Sequence, residues 1–184
     1  MGSSMLSCSY TEEELIEAFW RLYAKKGIDE ISVVELVETA GYNRGTFYLH
    51  FQSVYNLLEI EEDRLLSEME ECVTYCSKNL GKEDPSSLMM LVLNYYEQNK
   101  EKLLILLGER GDIRFMHNLR GMMKRIPIWK VSDPSLGLSD SETSILLDTT
   151  VAAVVSLIIS WMKEPRDIPA DKVLHMIYDI AIKR

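Results

Sequence analysis

Residues 32–51 read SVVELVETAGYNRGTFYLHF, and the fold assignment starts from this stretch. Ser32, with a glutamate three residues later, forms a capping box that begins a short helix. Gly41 supplies the left-handed residue with which such a helix ends. Asn43 can cap a second short helix over residues 44–50. Two short helices joined by a glycine-containing turn are typical of a helix-turn-helix motif, although a generic helical hairpin shares these features.

The second helix of this motif carries polar side chains opposite an apolar side. Phe47 and Phe51 define the apolar side, which we expect to pack inward. The polar residues suit DNA phosphates and base edges, and a glycine among them allows close backbone approach. The set comprises Arg44, Gly45, Thr46, Tyr48 and His50. Tyr48 keeps a second interpretation, as a core aromatic that packs on the first helix of the chain and keeps its hydroxyl wet.

Helix signals continue on both sides of the motif. Before it, Thr11 and Glu14 form a capping box in front of an amphipathic helix that Gly27 closes. After it, Ser53 begins a long helix that runs to about Lys78. Further helices are predicted from the apolar spacing and the stop signals. Their ranges are 86–99, 101–107, 112–130, 140–163 and 170–183.

These helices define an all-α fold, because no stretch alternates apolar and polar residues long enough for a strand. We predict about nine helices: a three-helix head with the helix-turn-helix, and a larger helical regulatory body that dimerises through its last two helices. Pro127 should kink or end its helix, and residues 132–139 read as a linker loop. Residues 1–9 are a disordered start or a vector remnant, 10–56 a DNA-binding domain, and 57–184 an effector-binding and dimerisation domain.

The composition narrows the class of protein. The chain has 184 residues, of which 47% are apolar and 27% charged, as in a folded globular protein. Its 20 basic and 29 acidic residues give a net charge of −9, which argues against a non-specific nucleic-acid coat. It carries no glycine-rich phosphate loop, HExxH pattern or catalytic triad, so we expect no enzyme activity and no cofactor. The absence of a secretory signal predicts a cytoplasmic protein.

Residues 145–162 are apolar enough to require a membrane check. They carry a single formal charge, at Asp148, and no basic cluster flanks them on one side. A charge inside a membrane span is costly. We therefore predict a largely buried helix rather than a membrane span.

The three cysteines are too few for a disulfide framework. Cys72 and Cys76 are four residues apart and share a helix face. Three interpretations stay open for this pair: buried core thiols, a redox pair, or half of a metal site. A zinc site needs about four ligands, and the histidines are widely spread in sequence, so we predict no metal site.

Residues 10–58 resemble the N-terminal DNA-binding domain of the TetR (tetracycline-repressor-like) family. The resemblance rests on the first helix ending in AKKGID, on ISVVELVETAGYNRGTFYLHF, and on SVYNLL. The later stretch from Asn99 to Met116, NKEKLLILLGERGDIRFM, together with Trp161, resembles a regulatory-domain subgroup of that family. The resemblance implies a homodimeric, ligand-responsive regulator that binds a double-stranded DNA operator. We expect a repressor that leaves an inverted-repeat operator when a small-molecule effector binds.

The resemblance also implies which residues contact DNA. They lie at the start of the second helix, in the recognition helix and at the start of the fourth helix. The set is Ser32, Asn43, Arg44, Gly45, Thr46, Tyr48, His50, Ser53 and Tyr55. Arg44 is the best candidate for a base contact, because its guanidinium can bind guanine with two hydrogen bonds.

The regulatory body supplies two further predictions. Its apolar, methionine-rich helices suit an adaptable cavity for the effector, although most of these residues must simply be core. The predicted pocket residues are Met69, Met89, Val92, Tyr95, Tyr96, Leu106, Phe115, Met116 and Leu119. The last two helices carry more apolar surface than one chain of this size needs, which predicts a four-helix dimer interface. Its residues are Leu147, Val151, Val154, Val155, Ile158, Ile159, Met176, Ile177 and Ile180.

The charge of the head favours an alternative. Residues 1–60 hold four basic side chains (Arg21, Lys25, Lys26, Arg44) against nine acidic ones, a net charge of −5. An acidic surface repels DNA at long range. The alternative function is therefore a protein-interaction module of the same fold that does not bind DNA.

Overall fold

The computed structural model describes residues 10–108, 111–126, 134–163 and 168–180. Among them it contains eight α-helices and no strand, so the all-α prediction is confirmed. The helices are α1 (Tyr10–Tyr23), α2 (Val33–Ala40), α3 (Arg44–His50), α4 (Val54–Asn79), α5 (Pro85–Leu106), α6 (Ile113–Arg125), α7 (Asp140–Lys163) and α8 (Ala170–Tyr178). Short 3₁₀ turns occupy Ile28–Glu30 and Pro134–Leu136.

Two helix boundaries differ from the sequence prediction, and a third agrees with the proline that was expected to end its helix. The helices predicted at 86–99 and 101–107 are one continuous helix, α5, because no glycine or proline interrupts the chain between them. α1 begins at Tyr10, so Thr11 lies inside the helix rather than at its cap. α6 ends at Arg125, two residues before Pro127, as expected for a proline that cannot continue a helix. The predicted disordered start, residues 1–9, lies outside the described residues.

The chain divides into two compact units, residues up to 63 and residues from 64 onward. In the first unit, α2 packs against both α1 and α3. Phe19, Phe47 and Phe51 are almost completely buried there. The indole N–H of Trp20 donates to the buried carboxylate of Glu61 at 2.8 Å, which ties α1 to the first turns of α4. This core determines which faces of α2 and α3 remain on the surface.

The turn between α2 and α3 has the geometry that the glycine predicts. Gly41 has φ +78°, in the left-handed region where a side chain is strained. Its N–H donates to the carbonyl of Glu38, and the N–H of Tyr42 donates to the carbonyl of Val37 at 2.8 Å. This pair of bonds is the Schellman motif, which satisfies the last carbonyls of α2 and reverses the chain.

The second unit contains most of α4 and the later helices. α7 packs on α6 and on α8, and α8 also packs on α5. The Tyr95 hydroxyl donates to the carbonyl of Leu65 at 2.7 Å and links α5 to α4. The Trp161 indole N–H donates to the carbonyl of Ile168 at 2.8 Å, and its ring lies 4.9 Å from that of Tyr96.

The predicted dimer-interface residues of α7 need correction. Val151, Val154 and Val155 are buried within their own chain, at 1%, 0% and 2% exposure, so they cannot contact a partner. Leu147 and Ile158 are half-buried on the same side of the helix. The most apolar face of α7 therefore packs on its own α6 and α8, since a single-chain core uses the bulkiest apolar side chains first.

The opposite face of α7 is exposed. At 100° per residue its members lie on one stripe of the helix. They are Ile145, Thr149, Ala152, Ala153, Ser156 and Ser160. On the remaining predicted interface, Met176 is 44% exposed, while Ile159, Ile177 and Ile180 are half-buried.

α7 is also long and apolar enough to cross a membrane by length and composition, over Asp140–Met162. Only 17% of its most apolar window is buried, so the expected largely buried helix is not observed in a single chain. An apolar helix with one exposed face needs a cover, and a second copy of the chain can provide it.

Candidate nucleic-acid interface

α3 presents one exposed stripe beside a buried side. Arg44, Gly45, Tyr48 and Leu49 are exposed, and helical spacing places the two pairs one turn apart on the same surface. Phe47 is fully buried and holds the helix on the core. A helix-turn-helix enters the major groove with a short helix of this kind, exposed on one side and packed on the core on the other.

Leu49 was not predicted as a site residue. It is 82% exposed, one of the highest values among the large apolar side chains described. The apolar side of α3 was expected to pack inward, and Leu49 was therefore not considered as a surface residue. The signal was available, since Leu49 lies about 200° around the helix from Phe47. An exposed leucine here can contact a thymine methyl group.

Tyr48 lies on the surface and not in the core. Its side chain is 58% exposed, which rules out its alternative interpretation as a core aromatic packed on α1. The Phe47 ring meets it edge to face with centroids 5.4 Å apart, and this contact fixes its position. The hydroxyl therefore projects from the same surface as Arg44.

Three predicted residues serve as helix caps. The side-chain oxygens of Ser32, Asn43 and Ser53 accept the N–H groups of residues three positions on, at 3.0–3.2 Å. In the two serine caps the hydroxyl oxygen accepts, so its proton can be donated outward to a phosphate. Thr46 is half-buried, and its hydroxyl lies 3.3 Å from the Asn43 amide oxygen. These caps place free backbone N–H groups at the start of each helix.

Two predicted contact residues are held by carboxylates. Nδ1 of half-buried His50 lies 3.5 Å from the Glu12 carboxylate of α1. The hydroxyl of Tyr55 donates to Asp29, and this hydrogen bond raises the pKa of Tyr55. Tyr55 is 51% exposed, so it must exchange this acceptor for a phosphate if it binds DNA.

Two acidic residues of α1, Glu12 and Glu14, lie close to the motif. Glu14 accepts a hydrogen bond from the Tyr42 hydroxyl in the turn, as Glu12 contacts His50 at the end of α3. On the basic side, Lys26 pairs with Glu35. Among the four residues of the exposed stripe of α3, Arg44 is the basic one.

The predicted effector-pocket residues fall into two groups. Leu106, Phe115 and Leu119 are buried to 6% exposure or less and are core residues. The others are half-buried in the second unit. They are Met69, Met89, Val92, Tyr95, Tyr96 and Met116. Burial raises the pKa of Tyr95, which favours the neutral hydroxyl that donates to Leu65.

A hollow among the described residues, between α6 and α7, is lined by residues other than the predicted pocket residues. It encloses about 310 Å³. Its walls are His117, Arg120, Gly121, Lys124, Asp148, Val151 and Ala152, none of which was predicted for the pocket. Lys124 pairs with Asp148 there, so the hollow combines an ion pair with walls that are mostly apolar.

Comparisons with known proteins match this architecture in both units. The family model of bacterial regulatory proteins of the tetR family matches residues 15–59. The model of a transcriptional regulator C-terminal region matches residues 83–183, over half of the chain. An uncharacterised HTH-type transcriptional regulator, YvdT of Bacillus subtilis strain 168, is 34% identical over 55 residues. That match spans 30% of this chain and 28% of the curated protein.

Solved structures show the same fold over most of the chain. A TetR transcriptional regulator from Streptococcus agalactiae superposes with a TM-score of 0.64 at 18% identity. The dihydroxyacetone kinase operon activator DhaS superposes with a TM-score of 0.62 at 21% identity. Each comparison covers 93% of both chains. At these identities the likeness describes the fold alone.

Proposed function

Because the chain belongs to the TetR family of bacterial transcriptional regulators, we propose that it binds an operator in double-stranded DNA and represses transcription. α3 is the recognition helix, and it lies in the major groove. Arg44 reads a guanine, and Leu49 contacts a thymine methyl group beside it.

The exposed stripe of α3 is the observation that carries this proposal. Arg44, Gly45, Tyr48 and Leu49 form a surface with one cation, one phenol, one apolar contact and a glycine. Two of these side chains are large and apolar yet largely exposed, at 58% and 82%. Exposed apolar side chains beside an arginine cost solvation in the free protein, and a DNA groove would cover them.

Neutral donors supply the phosphate contacts. The cap hydroxyls of Ser32 and Ser53 accept with their oxygens, which leaves their protons for a phosphate. The first N–H groups of α2 and α4 carry the positive end of each helix dipole. Tyr48 adds its exposed hydroxyl, and Thr46, His50 and Tyr55 contribute where their internal partners exchange. This set compensates for the scarcity of basic residues in the head.

The active form is a homodimer that binds an inverted repeat, because two-fold symmetric proteins present two recognition helices to symmetric half-sites. The exposed face of α7, with Met176 of α8, forms the interface. Small side chains such as Ala153 and Ser156 allow two copies of the helix to approach closely. Burial against a partner would cover the apolar window that one chain leaves exposed.

A small apolar or amphipathic molecule releases the repressor by binding the second unit. The half-buried pocket residues, among them Tyr95 and Tyr96, are candidates for its contacts. α4 carries the signal, since it begins beside α3 and continues into the second unit as one helix.

Binding to the DNA that flanks the gene of this chain tests the proposal. We expect a footprint over an inverted repeat for the wild type, and no footprint for a variant with both Arg44→Ala and Leu49→Ala. Circular dichroism should be unchanged, since both side chains are exposed. A reporter gene behind the same DNA distinguishes repression from activation.

Absence of a footprint would instead favour the alternative, an acidic protein-interaction module.

A further inference from the structure

Two thiols lie one helical turn apart on α4. Cys72 and Cys76 are both free and half-buried. The Cys76 thiol donates to the carbonyl of Leu88 on α5 at 3.5 Å, so this side of α4 faces α5 at Cys76. The spacing of four residues places both thiols on one face of this continuous helix. They therefore form a sulfur pair that a small ion can reach.

The spacing of this pair does not suit a disulfide. Residues four apart in a helix have Cβ atoms about 5–6 Å apart, whereas a disulfide needs about 3.5–4.5 Å. α4 is continuous through both residues, so closing the bond would distort the helix. Half-exposure also separates the pair from an ordinary buried core thiol.

We propose that Cys72 and Cys76 bind one soft monovalent cation, Cu⁺ or its analogue Ag⁺, between two thiolate sulfurs. With metal–sulfur bonds of about 2.3 Å, as in zinc thiolates, two sulfurs in line are about 4.6 Å apart. Side chains one helical turn apart can span that distance without moving the backbone. Thiolate ligands select Cu⁺ over harder ions.

The surroundings favour this ion over zinc. The described part of the chain contains no group of three or more His, Cys, Asp or Glu side chains that could hold a metal. A four-coordinate zinc site therefore lacks ligands there, whereas a two-coordinate ion needs only the two sulfurs. The thioether of Met69, one turn before Cys72 and half-buried, adds a further soft atom on the same face.

Binding exchanges protons for the ion. Each thiol releases one proton to solvent, so two protons leave for every cation bound, and no atom is oxidised or reduced. Burial raises the pKa of both thiols, to about 11 for Cys76. The metal-free pair is therefore protonated at neutral pH and reacts slowly with oxidants and alkylating agents.

Anaerobic titration of the full chain with Cu⁺, in competition with bicinchoninate, tests the site. We expect one equivalent to bind to the wild type and to Cys8→Ser, the matched control. Cys72→Ser and Cys76→Ser should each weaken binding by more than about 100-fold, since even loss of a supporting partner costs about 10–100-fold. An equimolar amount of Zn²⁺ should not displace the bound Cu⁺.

A second measurement needs no variant at the site. In the wild type at alkaline pH, one equivalent of Ag⁺ should protect Cys72 and Cys76 from alkylation relative to Cys8, as read by peptide mass spectrometry. Equal alkylation with and without Ag⁺ would overturn the proposal. So would a bound Cu⁺ equivalent that survives in the Cys72→Ser, Cys76→Ser double variant or disappears in Cys8→Ser. These measurements are independent of DNA binding.

Discussion

In the proposed complex, base recognition depends on Arg44, because it is the cation of the exposed stripe on α3. We expect Arg44→Ala to cost about 1–3 kcal/mol of binding free energy on the native operator and to relax the preference at one base pair per half-site. Binding isotherms on native and substituted half-sites measure both effects. Arg21→Ala is the matched control, since it removes the same charge from an exposed residue of α1. If both variants lose affinity equally for every sequence, Arg44 contributes charge alone.

We propose that the Tyr48 hydroxyl contributes to affinity without reading sequence. Tyr48→Phe should leave the free energy of unfolding within about 0.5 kcal/mol of the wild type, because the ring is largely exposed. It should weaken binding to all DNA sequences alike, by about 0.5–1.5 kcal/mol. Tyr42→Phe is the contrast: it removes the bond to Glu14 and should lower stability instead. A change in base preference for Tyr48→Phe would contradict this assignment.

At the scale of the element, the α2–α3 turn depends on the left-handed residue Gly41. No atom lies within 4 Å of an added Cβ there, so the cost of Gly41→Ala is backbone strain, about 1–2 kcal/mol. Gly121→Ala provides the opposite case, because Gly121 lies inside α6 and the nearest atom to an added Cβ is a guanidinium nitrogen of Arg125 at 4.0 Å. It should stabilise the protein by about 0.5–1 kcal/mol. Chemical denaturation of both variants measures the two signs, and equal shifts would contradict the argument.

The two faces of α7 have different roles, which neighbouring substitutions separate. Val154→Asp places a charge in the core and should unfold the chain or make it aggregate. Ala153→Asp places the same charge on the exposed face and should give a folded monomer. Light scattering measures the mass and circular dichroism the helix content. A monomeric wild type at micromolar concentration, or a dimeric Ala153→Asp, would exclude this face as the interface.

The whole molecule is acidic, with a net charge of −9, and the proposed DNA binding has to accommodate that charge. A protein with few basic side chains at the DNA releases few of the counterions that are condensed on the phosphates. Its affinity should therefore depend weakly on the salt concentration. We expect a log–log slope near about −4, compared with about −10 for the lac repressor. Binding isotherms at four salt concentrations give this slope. A slope as steep as that of the lac repressor would mean that more basic residues contact phosphates than the exposed stripe and caps provide.

Local signals predicted much of the fold and part of the candidate site. The caps at Ser32, Asn43 and Ser53 and the left-handed turn at Gly41 depend on a few neighbouring residues, and the structure places each of them as predicted. The sequence predicted less well which apolar side chains are exposed on the surface. Leu49 was not predicted as exposed, and the buried face of α7 was predicted to be the dimer interface. The hydrophobicity of a residue does not show whether its side chain packs in its own core or against a partner.

The sequence by itself determined the all-α class, the helix-turn-helix and the position of its second helix, α3, since helix caps, a glycine turn and apolar spacing act over a few residues. Only the tertiary structure decided that Tyr48 is exposed, that Phe115 is core, and that Val154 packs inside its own chain. Burial depends on contacts between residues far apart in sequence. Those contacts exist only after α5, α6, α7 and α8 have packed together.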